Sequence, residues 1–292
     1  MKGFCILNKP IGITSFDAIK QVKKTLREKE NIIEKKIGHA GTLDPFANGV
    51  LILAFGRYTK LFFLFDDMPK EYIALGVFGE MRDTDDIEGN IIKKSDINNK
   101  LSFEELEKII KKNFKGNILQ KPPIYSAKKI NGKRAYDLAR NNQSFQLKDA
   151  EVCINNIELL EYDYPYFKIK TSVSKGTYIR SIIRDIGNIT GNLAYTKELT
   201  RVSIGNYNID TACSIEDIKK EKILSFFEMF NNFEKEIIED DNTIKQILCG
   251  NTKMIENIEI KNKYLALTDN KENLLAIIEK KDNNVYSFID VL

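Results

Sequence analysis

A mixed α+β protein is what this 292-residue sequence predicts, on three observations. Two helix starts are marked by capping boxes ahead of apolar residues at helical spacing: Thr14 with Asp17 before Ile19, Val22 and Leu26, and Ser102 with Glu105 before Leu106, Ile109, Ile110 and Phe114. Between and beyond them run short apolar or alternating segments of strand character, such as 50–55, 70–79 and 166–174. From residue 244 onward only short strand-like runs occur, the pattern of a small β module.

Taken in order, residues 3–7 read as a strand, and Pro10 and Gly12 mark the turn that leads into a helix ending near Glu30. Its outer face carries Lys20, Lys23, Lys24 and Arg27, a solvated face unless a polyanion lies against it. Residues 38–49 gather three glycines, the chain's one histidine and Asp44, and the apolar run 50–55 follows at once. That run reads as a buried strand, so 38–49 is expected to be a loop fixed to the core. Pro45 biases Asp44 toward extended backbone. By loop chemistry alone Asp44 suits a turn cap as well as a reacting carboxylate.

Residues 56–65 suggest a short helix with Leu61, Phe62, Leu64 and Phe65 inward. In the strand 70–79, Tyr72 comes early enough for its ring to project past the sheet and stack on a base. The acids of 82–90 are crowded but lack the downstream glutamate and flanking helices of a calcium loop, which sets metal aside. Six basic residues, Lys121, Lys128, Lys129, Lys133, Arg134 and Arg140, then interleave with Tyr125 and Tyr136 around an Asn131-Gly132 turn. The strand 166–174 points Phe167, Ile169, Thr171 and Val173 inward and delivers a helix with Tyr178, Ile179, Ile182, Ile183 and Ile186 on one face and Gly187 as its stop. Arg180 falls in the first turn, where the helix dipole disfavours a cation, so it calls for a carboxylate or phosphate partner.

The net charge of +3 is unevenly spread: +8 over 1–210, −5 over 211–244 and zero beyond. A basic body with an acidic connector suits a polyanionic ligand. The connector 211–243 is expected to be helical, with Ile223, Phe226, Phe227 and Phe230 on one side. Four cysteines, far apart and with no CxxC pair, read as free buried thiols in a reducing cytosol. No long apolar segment points to a membrane.

The stretch GHAGTLDPFANGVL closely resembles the catalytic motif of the TruB family, the tRNA pseudouridine-55 synthases. Further blocks resemble the same family in order: NKPIGITS, the Lys70-Glu71-Tyr72 segment, RDTDDIEG, QKPPIYSAKK and SKGTYIR. The resemblance implies a pseudouridine synthase fold over 1–210, a mixed, mostly antiparallel sheet flanked by helices. It implies a helical connector over 211–243 and a small RNA-binding, PUA-like module over 244–292. Asp44 would be the catalytic group, by nucleophilic attack or by elimination and recapture of the base. Arg180 would pair with it, and Tyr72, Tyr178 and Leu199 would contact the target nucleotide. His39 would be a wedge or stacking group that holds the RNA loop open, or else a buried structural donor, and Lys9 would lie near phosphate or the active loop. Lys128, Lys129, Lys133, Arg134 and Lys175 would bind RNA, and Asp83 would orient a basic neighbour. The family usually reads Leu-Arg-Arg where this chain has Leu199-Thr200-Arg201, so a role for Arg201 stays open. The implied enzyme is a cytoplasmic monomer acting on the T stem-loop of tRNA, without cofactor or metal. Two other readings remain: a carboxylate glycosidase, which usually needs a second acid, and a non-catalytic RNA chaperone.

Overall fold

The computed structural model describes the chain apart from residues 96–99, 127, 131, 136–137, 139–144, 146, 252–259, 281–285 and 292. In chain order come β1 (Gly3–Lys9), α1 (Ser15–Glu30), β2 (Ile37–Ala40), β3 (Asn48–Phe55), a 3-10 helix (Gly56–Phe65), β4 (Lys70–Phe78), β5 (Glu80–Arg82) and β6 (Ile91–Lys94). There follow α2 (Phe103–Asn113), β7 (Gly116–Gln120), the hairpin strands β8 (Lys129–Ile130) and β9 (Lys133–Arg134), β10 (Ala150–Asp163), β11 (Tyr166–Val173), α3 (Ile179–Thr190), β12 (Ala194–Ile204) and β13 (Tyr207–Asn208). The main sheet has nine strands in the order β1-β3-β12-β4-β11-β10-β7, with β2 added on β3 and β13 on β12. Its pairings are antiparallel except β3 with β12, which run parallel at Thr200↔Asn48 and Arg201↔Gly49. This is the mixed, mostly antiparallel α+β architecture that the sequence predicts.

Local chemistry explains the elements. In α1, the Thr14 hydroxyl accepts from Asp17 N at 3.0 Å, and Ala18, Val22 and Leu26 bury against Leu51, Leu53 and Phe55 of β3. Phe167, Ile169, Thr171 and Val173 alternate into the core from β11, as their two-residue spacing requires. On that side of the sheet, α2 and α3 contribute Leu106, Ile110, Ile182, Ile183 and Ile186. Each buried side chain of this size contributes roughly 2 kcal/mol over leaving it in water.

Three expectations need correction. Residues 38–40 are not loop but strand: β2 pairs with the second half of β3, from Ile37↔Phe55 to Ala40↔Ile52, so the loop before β3 is only 41–47. The last helix does not stop at Gly187 but runs to Thr190 and ends on Gly191 in the left-handed conformation (φ +74°). Gly187 serves packing instead, since a Cβ there would lie 2.3 Å from Ala194 N, where β12 begins against the helix. The stretch 211–243 is largely irregular, with single bridges and turns rather than one helix. Phe4 and Leu224 exchange backbone hydrogen bonds of 2.8 and 2.7 Å, and Cys213 N donates to Ile6 O at 2.9 Å, so this segment covers the open edge of β1. Pairing that edge outweighs the local helical pattern. Only α4 (Phe226–Met229) is helical among its phenylalanines; Phe230 meets Phe4 edge-on, with ring centroids 5.6 Å apart, and Phe226 lies in the same apolar cluster.

The tail forms a second sheet, β14 (Lys235–Ile237), β15 (Tyr264–Thr268), β16 (Leu274–Lys280) and β17 (Tyr286–Val291), with α5 (Asp241–Leu248) between its first two strands. Its first strand thus comes from the stretch expected to be connector. The strand predicted at 258–260 falls mostly outside the described residues. Ala266, Leu274 and Ile277 share one apolar cluster with Ala54, Leu61 and Phe65, so the tail packs on the main body. Cys5 and Cys213 are buried with their Sγ atoms 3.4 Å apart as thiols, whereas Cys249 is exposed. Among the described residues no helix is long and apolar enough to cross a membrane.

Candidate active site

The loop 41–47 leaves β2, returns as β3 and is pinned from below. Ser15, the first residue of α1, donates to Leu43 O at 3.1 Å and accepts from Leu43 N at 2.9 Å. Gly12 N donates to Pro45 O at 2.8 Å. Lys9 is fully buried and donates to Ile13 O (2.7 Å), Pro10 O (2.9 Å) and Pro45 O (3.5 Å). Burial pushes the Lys9 ammonium down to about 8, although Asp44 nearby acts in the opposite direction. Of the two places expected for Lys9, the loop is therefore the one it occupies; phosphate cannot reach a side chain with no exposed surface. Leu43, Phe46 and Ala47 lie in the core, Gly41 and Thr42 are exposed, and Asp44 is half-buried, its side chain 34% exposed.

Arg180 meets it there. Its Nη2 donates to Asp44 Oδ1 at 3.2 Å and to Tyr125 O at 3.0 Å; its Nη1 donates to Thr84 O at 2.7 Å and to Asp86 Oδ2 at 3.1 Å. The Nε lies 2.9 Å from Asp44 Oδ2, within ion-pair reach but too far off its N–H axis to make a hydrogen bond. A guanidinium buried at 4% exposure is thus shared by two carboxylates and two carbonyls, which answers its poor position at the helix start. That helix start is held by a side-chain amide: Gln120 Nε2 donates to Tyr178 O at 3.1 Å, and Tyr178 N donates to Gln120 Oε1 at 2.8 Å.

The acid that orients the basic group is Asp86, not Asp83 as expected. Asp83 accepts from Asn90 N at 2.8 Å and merely closes its turn. Asp86 accepts from Thr84 Oγ1 at 2.6 Å and from Glu88 N at 3.0 Å, and burial raises its carboxyl above the usual range. Asp85, in the left-handed region (φ +60°), pairs with Arg184 at 2.9 Å, and burial lifts its carboxyl to about 6. Burial and the negative neighbours Asp86 and Asp44 raise Glu88. Sequence reasoning missed Asp85, Asp86 and Arg184 because nothing in Asp83-Thr84-Asp85-Asp86 says which acid faces inward.

Other predicted residues are placed as follows. Tyr72 is buried in β4, not projecting past the sheet, with its hydroxyl 3.5 Å from Arg201 Nη1. Leu199 is buried opposite Ala74, in one cluster with Tyr72, Leu43 and Phe46. His39 is half-buried in β2, opposite Leu53. Lys175 is exposed and paired with Asp66 at 2.5 Å. Lys128 donates to Lys148 O at 3.0 Å. Lys129, Lys133 and Arg134 lie in the β8–β9 hairpin, but their side chains, like Tyr136 and Arg140, fall outside the described residues. Among those described, no group of three His, Cys, Asp or Glu could hold a metal ion.

Fold and site together define a class. Two solved structures superpose over 99% of this chain and 84% of theirs: a Cbf5-Nop10-Gar1 complex (TM-score 0.67, 22% identity) and an H/ACA RNP bound to a substrate RNA containing 2'-deoxyuridine (TM-score 0.66, 21%). Those likenesses show a shared fold. The family model for TruB family pseudouridylate synthases, N-terminal domain, matches residues 28–179. A tRNA pseudouridine synthase B of Borreliella burgdorferi (strain ZS7) is 37% identical over 290 residues, 98% of each chain, and one of Clostridium acetobutylicum is 38% identical over 287 residues, 96% of this chain and 93% of the relative. The chain belongs to the TruB family.

Proposed function

We propose that this chain is a tRNA pseudouridine synthase that isomerises the uridine at position 55, in the T stem-loop, with Asp44 as its catalytic group. The relatives' activity, that of tRNA pseudouridine synthase B, supports the substrate class. One observation carries the role of Asp44: of the two carboxylates on the Arg180 guanidinium, Asp86 is 5% exposed and Asp44 is 34% exposed. The buried pair fixes the guanidinium, and the guanidinium aims the open carboxylate.

Isomerisation exchanges the C1′–N1 bond of one uridine for a C1′–C5 bond; the C5 proton leaves to water and N1 takes up a proton in its place. The carboxylate must reach the sugar or base edge, so the uridine leaves its stack, at a cost of a few kcal/mol. Leu199 and Tyr72, in the cluster beneath the loop, form the wall that the base meets. Tyr178 adjoins Arg180 at the same helix start. His39, on the strand entering the loop, is the wedge. The segment through Tyr125, whose carbonyl Arg180 holds, runs directly into the β8–β9 hairpin, so Lys128, Lys129, Lys133 and Arg134 reach RNA beside the site. Lys175 serves phosphate after leaving Asp66, and the PUA-like tail holds the body of the tRNA. The enzyme is read as a cytoplasmic monomer. A non-catalytic chaperone would have no use for a carboxylate aimed in this way.

Incubation with tRNA tritiated at uridine C5 tests the reading. Tritium release with retention of the base is expected, and a transcript lacking uridine at position 55 should release none. Release of free uracil would mean a glycosidase, and no release a chaperone. Asp44→Asn should abolish turnover with affinity nearly intact; activity above about a percent of wild type would refute the assignment, since losing such a group costs at least that much.

A further inference from the structure

Arg201, whose role the sequence leaves open, is one of the largest fully buried side chains, at 2% exposure. Among the described residues no carboxylate comes within ion-pair distance of it, although a buried guanidinium is costly to leave without one. All three of its nitrogens are directed at groups around the Asp44 loop. Nε donates to Val50 O at 2.7 Å, Nη2 donates to Gly41 O at 2.9 Å, and Nη1 lies 3.5 Å from the Tyr72 hydroxyl. Gly41 is the first residue of the loop and Val50 lies just past its end.

The sheet explains why an arginine is used here. β3 is paired along one edge by β12 at Asn48 and Gly49 and by β2 from Ile52 onward, and Val50 falls in the gap between those ladders. The Arg201 guanidinium fills that gap as a strand would. The backbone approach is equally tight. Gly49 has φ +110°, and a Cβ on it would sit 2.2 Å from Arg201 O, so β12 is pressed against the point where the loop re-enters the sheet. Thr200, where the family usually has arginine, adds a hydrogen bond of 2.7 Å to Asn48 Oδ1. Arg201 also pairs across the sheet with Tyr72, which puts both side chains on one face.

We infer that Arg201 is a positioning residue for the isomerisation: it ties both ends of the Asp44 loop and the Tyr72 hydroxyl into one rigid unit, so that carboxylate and ring keep a fixed relation to the flipped uridine. It touches neither Asp44 nor solvent and acts through the loop. The inference rests on Asp44 being the reacting group.

The test uses full-length Arg201→Lys and Arg201→Met. Melting temperature, single-turnover rate at saturating tRNA, tRNA affinity (measured with Asp44→Asn also present) and hydrogen exchange of the peptide spanning 41–49 are read for each. Lysine keeps the charge but cannot reach three separated acceptors. Its rate should fall on the order of a hundredfold, the usual effect of a displaced reacting group, with affinity within about threefold. Exchange should quicken in 41–49 while β10 and β11 stay protected. A folded Arg201→Lys with a near wild-type rate overturns the inference, as does a loss explained wholly by affinity. Exchange that quickens across the whole sheet, or failure of both variants to fold, reduces Arg201 to a structural plug and overturns it too. Failure of the Asp44 reading shows separately, as an active Asp44→Asn.

Discussion

Arg180 meets Asp44 along one edge, with Nη2 3.2 Å from Oδ1 and Nε 2.9 Å from Oδ2, while its other side is fixed to Asp86. The planar guanidinium is what allows one side chain to serve two carboxylates and two carbonyls at once. Arg180→Lys is therefore far from conservative. An ammonium can satisfy Asp86 or Asp44 but not both, and Asp44 is the one free to rotate outward. The single-turnover rate should drop about a hundredfold with tRNA affinity little changed. If affinity and rate at saturation behave the other way, Arg180 is a phosphate contact.

Lys9 gives the site a pH dependence. Its folded value of about 8 lies below the ordinary 10.5, so between these limits the unfolded chain holds the proton more often than the folded one. Stability owed to this group therefore rises with pH from about 8 to 10.5, and the burial penalty is fully present below 8. Function moves the opposite way. The ammonium donates to three carbonyls, a neutral amine has only two protons, and the longest bond, to Pro45 O, is the first to go. The single-turnover rate should decline above about pH 8 as the Asp44 loop loosens. Lys9→Met should lower the rate throughout and abolish that limb; an unchanged alkaline limb in the variant would assign it to another group.

How much of this was legible in the sequence follows from what each residue depends on. Asp44 and Arg180 stand out because a proline, glycines and an apolar run frame one, and an unfavourable helix position marks the other. Asp86 does not stand out, since its role depends on which of four neighbouring acids the β5–β6 turn directs inward. Arg201 was left open beside a departure from the pattern at Thr200, because its partners come from strands more than a hundred residues away. The phenylalanines of 226–233 keep a helical period, yet the unpaired edge of β1 decides how that chain runs.

Gly187 and Gly191 look alike as stop signals, and the structure separates them. Gly191 has open space around its Cα, and Gly187 does not: a Cβ there would lie 2.3 Å from Ala194 N and 2.5 Å from Leu193 C. Gly187→Ala keeps helical φ and ψ, so the damage comes from backbone that cannot step aside. Destabilisation toward the upper end of about 1–3 kcal/mol is expected by denaturant unfolding. Gly191→Ala should cost about 1 kcal/mol, through its left-handed φ alone. Equal losses at the two positions would show that the crowding at Gly187 relaxes away.

A truncation near Asp240 looks clean in the sequence, since every residue placed in the active site precedes it. The fold makes it a cut through shared structure. It strands β14 without β15, its partner from Lys235↔Ala266 to Ile237↔Thr268. It also strips Ala266, Leu274 and Ile277 from the cluster that contains Ala54 of β3 and Leu61 and Phe65 of the 3-10 helix. Losing those side chains exposes apolar surface worth several kcal/mol, at roughly 2 kcal/mol for each large one. The truncated chain should melt well below the full-length protein and lose tRNA affinity, while whatever stays folded turns over excess substrate near the wild-type rate. Equal melting temperatures for the two chains would show that the tail is an independent module and that its packing on the 3-10 helix contributes little.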